Sequence, residues 1–159
     1  MALRRRNRLR LGDLLIQQNV LTKEQLEQAL QMQKGTNKKI GEILVEKGFI
    51  TEEMISRALE AQMGLKTVQL RGLTVPGEIK SLIDGKLLKK YTVFPFEVDP
   101  YNANILHLAM ADPLDMEAID DIAIVTNMQI EPYIATRREI RSAIDRNYGE
   151  AENIEAVNR

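Results

Sequence analysis

Apolar residues in the first third of the chain recur at helical spacing, and the pattern occurs twice. In residues 10–33, Leu11, Leu14 and Leu15 fall at i, i+3 and i+4, the face of a short helix. Asn19 follows as a residue that tolerates the left-handed conformation ending a helix. Thr22 then opens a longer helix whose stripe is Leu26, Ala29 and Leu30, and Thr22 with Gln25 three residues on is a capping-box pair. Shifting the chain by 29 positions lays residues 39–62 on the same plan, with identities that include Gly12/Gly41, Leu15/Leu44, Thr22/Thr51, Ala29/Ala58, Leu30/Leu59 and Gln33/Gln62. In the second copy Gly48 stands for Asn19 and Thr51 keeps the cap, but Met54 breaks the reciprocal half of the box. Internal repetition of this kind predicts a tandem-repeat bundle of four short helices over residues 10–64.

From about residue 65 the pattern changes to short β-type runs separated by Gly and Pro. Strands are expected at residues 68–70, 92–98, 105–110 and 129–135. Pro95 makes the second of these an edge or bulged strand. Helices are expected over 76–91 with a break at Gly85, over 113–126 with Asp112 as N-cap, and from the Thr136 cap to residue 148. The predicted class is therefore α+β: the helical repeat, then a small α/β sandwich with a three- to four-stranded sheet over 65–149. A basic arm (1–9) and a polar tail (150–159) flank them.

Composition narrows the chemistry. Of 159 residues 44% are hydrophobic and 28% charged, with no Cys, no Trp and one His, so a real core is available while disulfides and thiolate metal sites are excluded. A cytoplasmic location is expected. No apolar run approaches a membrane span, and the basic start lacks an apolar segment after it, so no signal peptide is expected. Net charge is −1, yet Arg4, Arg5, Arg6, Arg8 and Arg10 crowd the first ten residues. They form either a solvated arm or a phosphate contact; nucleic acid is not the expected partner, because no aromatic residues are interleaved. Gln33 and Gln62 each end an apolar stripe, and a buried amide needs partners: either backbone groups at the turn between the copies or a ligand. His107 has no second ligand at a recognisable spacing and reads as a packed residue. Asp115, Glu117, Asp120 and Asp121 spread around a helix and read as a solvated face. Gly85-Lys86 lacks the upstream glycine of a phosphate loop, and a single His supports no nucleophilic triad. No catalytic constellation is left, so the chain is read as a binding module rather than an enzyme, with no cofactor.

The repeat resembles the MshEN domain, the cyclic-di-GMP-binding N-terminal region of bacterial pilus and type II secretion ATPases. The first copy matches that family's motif through Arg10-Leu11-Gly12, Leu15, Leu26, Leu30 and Gln33; the second through Lys39-Ile40-Gly41, Leu44, Gly48, Ile55, Leu59 and Gln62. The run M-A-D-P-x-D-x-x-A-I-D beginning at Met110 is similar to the α/β part of the same regions. By this resemblance the ATPase domains would lie beyond Arg159. It implies that Arg8 and Arg10 hold guanine or phosphate, that Gln33 and Gln62 supply a polar edge, and that Leu11, Leu15, Leu26, Leu30, Ile40, Leu44, Ile55 and Leu59 form an apolar floor. Gly12 and Gly41 would allow close approach of the ligand, and Asp112 is either a helix cap or an acceptor for a guanine N–H. Asn19 departs mildly from the family glycine. Lys39 departs more, since an ammonium cannot make the planar fork of arginine. Two functions follow as expectations: a cyclic-di-GMP sensor that biases an attached or separate secretion or pilus ATPase, or a protein-docking adaptor of the same machinery that binds no nucleotide.

Overall fold

Helix ends in the first half are set by the residues that the repeat keeps. In the computed structural model, which describes residues 10–149, α1 (Leu11–Gln17) and α2 (Lys23–Gln33) make the first copy, α3 (Ile40–Glu46) and α4 (Glu52–Met63) the second. The basic arm and the polar tail lie outside the described residues. Asn19 and Gly48 sit at the same turn with φ of 63° and 74°, the left-handed conformation in which glycine and asparagine cost least. Thr22 caps α2 in a complete box with Gln25, whereas Thr51 accepts from the Met54 amide at 3.1 Å without the return bond. Each short helix reaches the long helix of the other copy, α1 against α4 and α3 against α2. Leu11, Leu14, Leu15, Ile43, Leu44, Ala58 and Leu59 are consequently buried together, and Gln18 ties α1 to α4 through the Ala58 carbonyl at 3.3 Å.

The chain divides into two compact units, one up to Leu65 and one from Lys66. The second begins with two short helices, α5 (Gly77–Lys80) and α6 (Gly85–Tyr91), the break falling just before Gly85, where Asp84 caps α6. Three strands follow: β1 (Val93–Val98), β2 (Ile105–Met110) and β3 (Gln129–Ile134) in that spatial order. β1 runs antiparallel to β2, and β3 parallel to it. A parallel neighbour needs a crossover, and α7 (Met116–Thr126) provides it before α8 (Arg137–Ile144) and a final π turn, Asp145–Gly149. The fold is α+β with a mixed three-stranded sheet.

The expected strand at 68–70 is absent: Thr67 makes only an isolated bridge to Ile134. Residues 113–115 are not helical either. Asp112 binds the Leu114 amide at 3.0 Å in a local turn, and Asp115, bonded to the Ala118 amide at 3.1 Å, is the cap of α7. Two aspartates competed for one helix start, and the one with helix rather than Pro113 behind it took the cap. Nor is the whole acidic group a solvated face, since Asp121 accepts a hydrogen bond from the buried Tyr91 hydroxyl. That bond, with burial, pushes the Tyr91 pKa up to about 12.

The core of the second unit gathers Leu106, Leu108 and Met110 of β2 with Phe94, Ile122, Ile140 and Ile144. One buried polar side chain closes this core. The Asn147 side chain accepts from the Val75 amide at 3.0 Å and donates to the carbonyls of Leu73 at 3.1 Å and Ala143 at 2.8 Å. Beside it, Arg146 donates to Leu70 and Leu73 carbonyls, so the loop before α5 is held to the last helical turn. Asn147→Ala leaves a buried amide without its acceptor, and we expect it to lower the unfolding free energy by about 3 kcal/mol, read by urea denaturation.

Candidate functional site

The repeat copies are alike in sequence but not in exposure. Leu59 is fully buried, while its equivalent Leu30 is 42% exposed. Ile55 is buried and its equivalent Leu26 half-buried; Leu11 is buried and its equivalent Ile40 half-buried. The eight apolar residues of the expected floor therefore separate. Leu11, Leu15, Leu44, Ile55 and Leu59 belong to the core of the helical unit, and Leu26, Leu30 and Ile40 remain in reach of solvent. Leu26, Leu30 and Gln33 stand at i, i+4 and i+7 on α2, one stripe of one helix.

Polar groups border this stripe. Gln33 donates to the Lys38 carbonyl at 3.1 Å, which satisfies half of its amide at the turn between copies and draws the start of α3, with Lys39 and Ile40, to the end of the stripe. Gln62 is exposed. Arg10 and Lys39 occupy the same place in the two copies, the extended residue before a short helix, with ψ of 155° in both and no side-chain cap. Arg10 is exposed. Gly12 is explained by packing: a Cβ there would lie 2.7 Å from Leu26 Cδ1, so the start of α1 rests directly on the stripe. Gly41 is buried likewise. Arg8 lies outside the described residues. Asp112 belongs to the other unit, where its carboxylate serves the turn before α7.

A second group was not legible as a site. His107 lies on β2 with its side chain 5% exposed, and it is not merely packed. Its Nδ1 is 2.7 Å from Glu97 Oε2 and its Nε2 3.0 Å from Asp99 Oδ2, with Glu131 Oε1 at 3.5 Å from the same nitrogen. Register makes the row: His107 pairs with Glu97 on β1 and with Glu131 on β3. Opposite His107 would stand Phe96 but for one extra residue, since Pro95 pairs with Leu108 and Glu97 with His107. The bulge turns a carboxylate rather than a phenyl ring onto the imidazole. Phe96 and Tyr133 close round the ring, with centroids 5.9 and 5.0 Å from it. Burial pushes the imidazole pKa down, but the bonds to Glu97 and Asp99 and the Glu131 charge outweigh it, so the net direction is up from 6.5. Asp99 is pushed down, first by the Tyr101 amide bonded to its Oδ1 at 2.8 Å and then, against burial, by His107.

Comparison with known proteins follows both units. The MshEN domain family model matches residues 63–154, more than half of the chain and the part that carries the sheet. The type IV pilus assembly ATPase PilB of Myxococcus xanthus is 33% identical over 141 residues, 89% of this chain but 24% of that protein. PilB of Thermus thermophilus is 28% identical over the same share of this chain and 16% of its own length. The chain thus spans a quarter or less of these curated relatives. Among solved structures, MshE with cdg superposes with a TM-score of 0.65 at 28% identity, over 88% of this chain and 99% of that one. The N-terminal domain of XpsE, at 24% identity, gives 0.69 over 87% and 94% and shows the shared fold.

The raised imidazole pKa fixes the sign of a pH effect. Folded protein binds the His107 proton more tightly than unfolded protein, so this contribution is present in full below about pH 6.5 and is lost as pH rises through the folded value. In chelator-treated protein, we expect the unfolding free energy to fall as pH rises above about 6.5, more steeply in the parent than in Glu97→Gln. The single imidazole should titrate above 6.5 by NMR.

Proposed function

Because this chain belongs to the MshEN domain family, we propose that it is a cyclic-di-GMP-binding regulatory module of a pilus or secretion assembly ATPase, working in the cytoplasm and not itself catalytic. The observation that carries this reading is the exposure of Leu26, Leu30 and Ile40 where their repeat equivalents are core. Apolar surface left open between a cation at the head of each copy and an amide at the end of the stripe suits a flat, doubly anionic purine ligand. Guanine presents O6 and N7 to an arginine fork, purine faces lie against leucine, and phosphate takes a cation. Arg10 would hold a guanine edge, Lys39 a phosphate as a point charge, and Gln33 the remaining polar edge with its free amide valences. We read the cdg held by MshE as this same ligand, which supports the assignment by likeness. The ATPase motor it would regulate is proposed from the PilB relatives, of which the chain matches only part.

Leu11, Leu15, Leu44, Ile55 and Leu59 would act indirectly, by fixing the two copies against each other, and Gly12 by letting α1 lie on α2. Occupation of the stripe would order the turn between the copies and so bias whatever the module is joined to.

Calorimetric titration with cyclic-di-GMP, with GTP and cyclic-di-AMP as controls, tests the reading. Saturable, guanine-specific binding is expected for the parent. Arg10→Ala and Leu30→Glu should abolish it and leave the melting temperature within a degree or two, since exposed residues contribute little to the core; Gln33→Ala should weaken it. Absence of heat and of a melting shift at about hundredfold excess would give the module to protein docking instead.

A further inference from the structure

Both nitrogens of the His107 ring face carboxylate oxygens, at 2.7 and 3.0 Å. A neutral imidazole carries one N–H, so one lone pair then meets an acceptor across a hydrogen-bond distance. The arrangement demands a cation. A second proton is one; a metal ion on the Nε2 side is the other, and the distances bear on the choice. Glu131 Oε1 stands 3.5 Å from Nε2, too far for a good hydrogen bond but close to the separation of two ligands around a tetrahedral ion, ~3.3 Å for bonds of about 2.0 Å. Asp99 Oδ2, at 3.0 Å, is near it as well. One atom each from Asp99, His107 and Glu131 lies within 4.8 Å of the others.

We propose that Asp99 Oδ2, His107 Nε2 and Glu131 Oε1 form a binding site for a divalent transition-metal ion, open to solvent at its remaining position. Glu97 completes it from behind. With Nδ1–H donating to Glu97 at 2.7 Å, the ring presents a lone pair at Nε2 in a fixed orientation, the carboxylate–histidine–metal relay that holds ligating imidazoles. Asp99 divides its oxygens, Oδ1 taking the Tyr101 amide and Oδ2 turning to the site. The imidazole is buried while Glu131 keeps 48% of its side chain exposed, so an ion can enter from water and lose its shell by steps. One imidazole with two carboxylates suits zinc or its neighbours better than magnesium, which prefers an all-oxygen octahedron. A bound ion would join β2 and β3 to the turn that follows β1.

Zn²⁺ is the probe, with Mg²⁺ as control, added to the untagged, chelator-treated full chain. The sequence makes the readout clean, since it has one His and no Cys. We expect one Zn²⁺ per chain by calorimetry, a shift of the Nε2 resonance by NMR, a higher melting temperature, and none of these with Mg²⁺ at the same concentration. Asp99→Asn, which can keep the turn bond, and Glu131→Gln should each raise the Kd at least roughly tenfold, and Glu97→Gln by roughly 10- to 100-fold. Far-UV circular dichroism without metal should be unchanged in Glu131→Gln, whose side chain is half in solvent. No saturable Zn²⁺ binding by the parent, or equal affinity in the folded Asp99→Asn and Glu131→Gln chains, overturns the site.

Discussion

Short helices have little stability of their own in water, because nucleation fixes several residues for the first hydrogen bond. The longest helix among the described residues has 12 residues and several have 7 or fewer. Each must therefore find its stability in burial against something else. For α1 and α3 that something is the long helix of the other copy, which is why the duplication is structural before it is functional: one copy alone would leave a leucine face open. Once this exchange has consumed Leu15, Leu44 and Leu59, any leucine still in water is one the packing did not need. Leu30 stands out for that reason.

The helical half was legible in the sequence because its signals are local. A threonine three residues before a glutamine, an asparagine at the end of a seven-residue helix and a 29-residue shift all lie within a few turns of one another. Exposure was not legible, because equivalent residues in the two copies carry the same letter, as at Leu30 and Leu59, or an equally apolar one, as at Leu26 and Ile55, and differ in what lies over them. The sheet's row was hidden for a related reason. Glu97, Asp99, His107 and Glu131 span 35 residues of sequence and meet only through strand register, which no spacing rule announces. At Asp112 the sequence offered two plausible caps, and only the observed backbone distinguishes the turn from the helix start.

Family membership and candidate ligand site rest on different parts of the molecule. The family model matches residues 63–154, whereas the stripe of Leu26, Leu30 and Gln33 lies in the preceding unit. Relatives sharing the α/β unit need not share the open stripe, and the fold by itself does not confer binding. On the proposed reading, Arg10, Leu26, Leu30 and Gln33 would be the positions at which members of the family could differ in what they bind while keeping one architecture. Asp112, with its carboxylate engaged at a turn of the second unit, has a complete structural reason to be there without any ligand.

The bulge at Phe96 has an evolutionary corollary. Because one unpaired residue decides which side chain faces His107, the identity of that row depends on counting along β1 as much as on composition. Deleting any one residue from Val93 to Phe96 would close the bulge and leave Glu97 opposite His107, whereas pairing that ran on without the bulge would put Phe96 there. Chains with the same letters along this strand can thus differ in polarity beside His107 according to whether the bulge forms, and the pairing of β1 is the feature to follow when the lineage of the row is traced.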